Sequence, residues 1–173
     1  MGNKHLHLIV SDIRGAIIQN CIIVERVLDE FLSGYFCKGD LKEELMTFLL
    51  CTERINFRGK ADIFKLIIDK KENKERFAKF KKENPNIHKD INDYVIEERN
   101  IFAHYLFDST DGYNERYQNE KKIRFIKFKV SKDNPDIQYL EYDNDRILQI
   151  QNTIRRCGEA IIGLNEDIAK NPV

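Results

Sequence analysis

What this chain lacks narrows it quickly. No run of 18 apolar residues occurs in its 173 residues, so no transmembrane helix is expected. The apolar stretch 16–24 is interrupted by Gln19 and Asn20 and has no small-residue cleavage site, which argues against a signal peptide and for a cytoplasmic protein. The four cysteines, Cys21, Cys37, Cys51 and Cys157, form no CxxC pair. Without paired ligands a zinc site is not expected, and the thiols read as free and buried. Charge of one sign is not in excess either: 29 basic residues balance 29 acidic ones. A globally basic nucleic-acid binder is thereby excluded, though a local basic patch is not. Internal repeats, low-complexity segments, a phosphate-binding glycine loop, GxSxG and HExxH are all missing. His5-Leu6-His7 is too near the chain start to be a convincing metal site.

What is present is a globular composition, 42% apolar and 34% charged, of a length that suits one domain spanning 1–173. Helical spacing of Ile13, Ile17, Val24, Val27, Leu28 and Phe31 predicts a first helix over 11–32, capped by Ser11. Asp40 and Glu43 form a capping-box pattern before a second helix over 41–51, and a third follows over 59–70. Segment 72–83 is very polar and suggests a short exposed helix carrying Phe77 and Phe80. Asn84-Pro85-Asn86 is the clearest break, with either asparagine able to cap a long helix over 87–107. Alternation over 122–130 and a second run at 137–142 predict a β-hairpin, and 145–168 a last helix. The expected fold is mainly α, a helical bundle with one inserted hairpin. Two basic clusters stand out, 70–82 and 121–132, and the first, with Lys79, Lys81 and Lys82, is taken as a candidate RNA-binding surface.

The helix over 87–107 carries the chemistry. On a wheel of 100° per residue with Asn100 at zero, Asp93, His104, Glu97 and Asp108 fall within about 20–80° and form one polar wedge. Arg99 lies about 100° to the other side, in the apolar sector. A guanidinium cannot shed its charge there and needs a partner, and Glu25 of the first helix is a candidate. A structural Arg–Glu pair and a functional arginine both remain open on this geometry.

Arg99-Asn100-Ile101-Phe102-Ala103-His104 resembles the signature of the HEPN family, in which arginine and histidine are separated by four intervening residues, a polar residue follows the arginine and a small residue precedes the histidine. The resemblance extends over residues 8–170. It implies an up-and-down bundle that dimerises so that motif helices of two subunits meet at a composite site. It also implies metal-free and cofactor-free RNA cleavage, with Arg99 and His104 catalytic and Asn100 orienting them, and an antitoxin or regulatory protein as partner. In members regulated by a nucleotidyltransferase, tyrosine lies two residues after the histidine. Here that position is Leu106, and the tyrosine is Tyr105. The residue types suit the reaction: imidazole can take the ribose 2′-OH proton, and guanidinium can hold two phosphate oxygens. A non-catalytic HEPN-type module that binds a protein or nucleotide makes the same sequence predictions outside the motif.

Overall fold

The structure, a computed structural model, describes residues 2–37, 40–50, 54–110, 112–130 and 135–170. It is mainly helical, with a small antiparallel sheet. Helix α1, Gly2–Phe36, is the spine. Leu6, Val10, Ile17, Cys21, Val24, Leu28, Phe31 and Leu32 recur at three- and four-residue spacing and are buried. That stripe runs through Ser11, so the helix starts nine residues before the predicted cap, and Ser11 is an exposed residue inside it. Its segment His5–Phe36 is long and apolar enough by length and composition to cross a membrane, with a mean hydropathy of 1.3. No unbroken apolar run reveals this. In the fold, the apolar stripe of α1 forms the centre of the core.

Helix α8, Asn144–Lys170, lies along α1. Gly158 faces Val24, where a β-carbon would stand 3.6 Å from a Val24 methyl, and Asn165 donates to the Val27 carbonyl at 3.0 Å. These contacts advance together along both chains, so the two helices run in the same direction. On the other flank of α1 lies α3, Phe57–Asp69, whose N-cap Asn56 accepts from Gly59 N at 2.8 Å. Between them come α2, Asp40–Leu45, and a π-helical turn, Met46–Leu50. Segment 72–83 is a 3-10 turn, Lys71–Asn73, followed by α4, Ala78–Glu83. Its Phe77 and Phe80 are buried against Phe31 and Phe64 rather than displayed.

The chain then runs through α5, Ile87–Asp90, a π-helical stretch, Ile91–Ile96, and α6, Glu97–His104. Asn86 is the N-cap without a side-chain bond, while Asn84 donates back to the Phe80 carbonyl and closes α4. The helix stops at His104, three residues earlier than its apolar pattern suggests, because Leu106–Phe107 is a strand, β1. After α7, Tyr113–Glu120, the strands β2, Ile123–Val130, and β3, Pro135–Tyr142, form the expected hairpin. The order is β1-β2-β3, with Leu106 opposite Ile126, Phe107 opposite Phe125, and Phe125 opposite Leu140. One face of the sheet buries Ile123, Phe125 and Tyr142. Its other face leaves Leu106, Phe128, Ile137 and Tyr139 exposed.

Candidate functional site at the end of the motif helix

The inner side of α6 is fixed by a buried polar contact that the sequence reading did not single out. Glu98, 4% exposed, accepts from the Tyr142 hydroxyl at 2.8 Å and from Arg146 at 2.6 Å. Arg146 also stacks over the Tyr94 ring at 5.0 Å. One turn on, Phe102 is fully buried against Phe125 and Tyr142, with ring centroids 4.9 and 5.1 Å away. This clamp joins α6 to β2, β3 and α8, and so fixes the rotation of the helix. The two residues after Glu98 are Arg99 and Asn100, both half-buried, and His104 stands exposed in the last helical turn.

Among the described residues, none of the three motif side chains forms a hydrogen bond or an ion pair. The Arg99 charge is felt by the Cys21 thiol, which places the guanidinium beside α1. The expected partner Glu25 is engaged elsewhere, on the buried ammonium of Lys60 at 2.9 Å, with Asp29 on the same ammonium at 2.9 Å. A lysine 3% exposed takes both carboxylates, because a buried charge is tolerated only when paired. The Arg99–Glu25 pair is thereby ruled out.

The polar wedge is shorter than the wheel suggested. Asp93 and Glu97 are exposed, and Glu97 is paired with Arg58 of α3. The π-helical stretch turns each residue by less than 100°, so Asp93 does not keep its ideal position relative to Asn100. Asp108 leaves the wedge altogether. It lies beyond β1, 1% exposed, and accepts from Thr110 N and Oγ1 at 3.1 and 2.7 Å, with Arg124 at 3.6 Å. Leu106, read as part of the helix, is an exposed strand residue.

The motif and Lys79, Lys81 and Lys82 are not brought together. The lysines follow Phe77, which packs on Phe31, whereas Tyr105 after His104 is bonded to Arg14. Positions 14 and 31 of α1 are separated by about 25 Å at 1.5 Å per residue. Lys81 is in addition paired with Asp69 at 2.6 Å. The second basic cluster is nearer: Lys127 of β2 places its ammonium 5.4 Å from the Tyr105 ring centroid.

Arg14 is the residue that sequence reasoning passed over. It donates to the Tyr105 carbonyl, directly after His104, and its guanidinium lies 5.0 Å from the Phe125 ring centroid. The only signal available was one charge in an otherwise apolar stripe, the same signal that flagged Arg99. Among the described residues no group of three or more His, Cys, Asp or Glu side chains could hold a metal, and His7 sits in regular helix against Phe107. No protein-family model, curated protein or solved structure matches the chain.

Proposed function

We propose that this chain is a metal-independent endoribonuclease with a HEPN-type bundle, acting in the cytoplasm on single-stranded RNA as a symmetric homodimer. An antitoxin or other regulatory protein is a further partner in this reading. The observation that carries it is the unpartnered state of Arg99, Asn100 and His104 on a helix whose opposite side is clamped through Glu98 and Phe102. Arg99 and Asn100 are half-buried and His104 is exposed, and with no partner in the fold their polar groups are open to a ligand.

In the reaction, His104 removes the proton of a ribose 2′-OH, and that oxygen attacks the adjacent phosphorus. The bond from phosphorus to the 5′-oxygen breaks, the departing oxygen takes up a proton, and a 2′,3′-cyclic phosphate remains. Arg99 neutralises the charge that grows on the phosphoryl oxygens, and Asn100, one turn before His104, orients the imidazole or the ribose. Arg99 and His104 project about 140° apart around the helix. A dimer in which two motif helices meet puts the arginine of one subunit beside the histidine of the other.

That divergence is also the observation favouring the second reading, a non-catalytic HEPN-type module binding a protein or nucleotide. Purified protein incubated with labelled single-stranded RNA in EDTA separates the two. The nuclease reading expects cyclic phosphate ends, loss of cleavage in His104→Ala and a dimer by light scattering. Equal cleavage by His104→Ala, or a monomer at micromolar concentration, removes the composite site and leaves the binding module.

A further inference from the structure

We propose that the cleft between the first turns of α1 and β1 is a nucleotide subsite, in which His7, Ser11 and Arg14 hold a phosphate and Leu8 and Phe107 face the base. The inference rests on the ribonuclease reading for its place in the reaction, as a seat for a nucleotide of the RNA next to the cleaved bond. The cleft encloses about 620 Å³ and is lined by His7, Leu8, Val10, Ser11, Arg14 and Phe107. That is within the range of small-molecule sites, and its mix of apolar wall and few polar groups is their usual composition.

The polar groups share one side of α1, at spacings of four and three residues. All three can donate to a phosphate oxygen, and none of the six lining residues is acidic. Arg14 is the centre of the argument. Two other half-buried arginines meet carboxylates, Arg124 with Asp108 at 3.6 Å and Glu141 at 3.4 Å, and Arg146 with Glu98 at 2.6 Å, whereas Arg99 of the motif shares the unpaired state of Arg14. Arg14 forms no ion pair with any described residue. One terminal nitrogen donates to the Tyr105 carbonyl, and its Nε is enclosed without any partner. Burial lowers its pKa somewhat, but an arginine stays charged throughout the physiological range. The bond to Tyr105 and the Phe125 ring fix the guanidinium in place before any ligand arrives.

Position supplies the link to the reaction. Tyr105 follows His104 in the chain, and Phe107, whose ring meets His7 edge-on at 5.3 Å, comes two residues later. An RNA strand with its 2′-OH at His104 reaches this cleft with an adjacent nucleotide, so Arg14 binds the phosphate next to the one that reacts.

Titration of the intact protein with adenosine 5′-monophosphate, and separately with inorganic phosphate, tests the cleft without any cleavage assay. Ser11 is exposed, so Ser11→Glu leaves the fold intact while placing a negative charge at the phosphate position. We expect Ser11→Glu and Arg14→Gln each to weaken nucleotide binding at least tenfold, with Arg14→Lys recovering part of the loss. Inorganic phosphate should bind more weakly than the nucleotide, because it forgoes Leu8 and Phe107. Unchanged nucleotide affinity in Ser11→Glu overturns the subsite, and so does phosphate binding as tightly as the nucleotide. Failure of the nuclease reading appears differently, as cleavage that survives His104→Ala while nucleotide binding still responds to Ser11→Glu. If RNA is cleaved through His104 but KM is unmoved by Ser11→Glu, the nuclease stands and the subsite falls.

Discussion

Two regions along α1 hold buried charge in opposite ways. Toward its C-terminal half, Lys60 is sealed between Glu25 and Asp29, with a nitrogen–oxygen distance of 2.9 Å to each. Arg14, in its N-terminal half, and Arg99, on α6 beside Cys21, are half-buried and pair with no carboxylate among the described residues. The first arrangement balances the lysine charge inside the fold. The second leaves donors unmatched beside the end of the helix that carries His104. Pairing, rather than burial, therefore separates the charges that hold this protein together from those available for chemistry.

The largest expected effects contrast Arg99 with Lys60. Arg99→Ala should lower RNA cleavage by roughly 10²–10³-fold, the usual loss for one group stabilising transition-state charge. Its unfolding free energy in urea should change by no more than about 1 kcal/mol, because no partner is abandoned. Lys60→Ala strands the buried Asp29 carboxylate and the half-buried Glu25 and should cost about 3–5 kcal/mol, while the folded fraction cleaves RNA normally. An Arg99→Ala protein as unstable as Lys60→Ala would erase the distinction. The same contrast has a pH signature. Burial pushes the Lys60 ammonium down, but the hydrogen bonds it donates to Asp29 and Glu25 outweigh it and hold it above its ordinary 10.5. Burial raises the Asp29 carboxyl above its ordinary value, and Lys60 only partly pulls it back. A raised lysine stabilises the fold fully below its unfolded value and ceases to do so as pH climbs past the folded one. Wild type should thus lose stability above about pH 10.5, and Lys60→Met should lose less, the remainder coming from the buried Cys21 and Cys157 thiols and Tyr113 and Tyr142 phenols, which burial also raises.

A smaller effect is expected at the clamp. Tyr142→Phe removes one of the two donors to Glu98 and should cost about 1–2 kcal/mol. Because the clamp sets the rotation of α6, we expect kcat to fall while dimerisation persists. A loss of stability with unaltered kcat would show that the motif side chains do not depend on this contact.

How far the sequence foretold these regions depends on the range of the forces involved. Periodicity identified α3, α8 and the β2–β3 hairpin, since each has a repeating apolar face of its own. It missed β1, because Leu106 and Phe107 continue a helical pattern and become strand only by pairing with Ile126 and Phe125 almost twenty residues away. Asp108 was misplaced for the same reason. Ser11 read as a cap, yet Leu6 and Val10 extend the buried stripe beyond it. At the site, the motif positions could be read from residue type and spacing. The partner of Glu25 could not be, because choosing Lys60 over Arg99 requires knowing which helix packs beside α1.

The smallest effect reads the seam between α1 and α6 directly. Cys21 and Cys157 are fully buried, and burial pushes both thiols up to about 12. At pH 8 each is about 10⁻⁴ thiolate, roughly a thousandfold less than an ordinary thiol. Cys37 is only half-buried. In a Cys51→Ser background a disulfide reagent should therefore modify Cys37 rapidly, and Cys21 and Cys157 only on unfolding. The Arg99 charge pulls the Cys21 thiol down against burial, and in Arg99→Ala Cys21 should stay as protected as Cys157 as long as the seam stays closed. Faster modification of Cys21 in that variant, with Cys157 unchanged, would mean that the arginine seals α6 against α1. It would then belong with Lys60 among the structural charges.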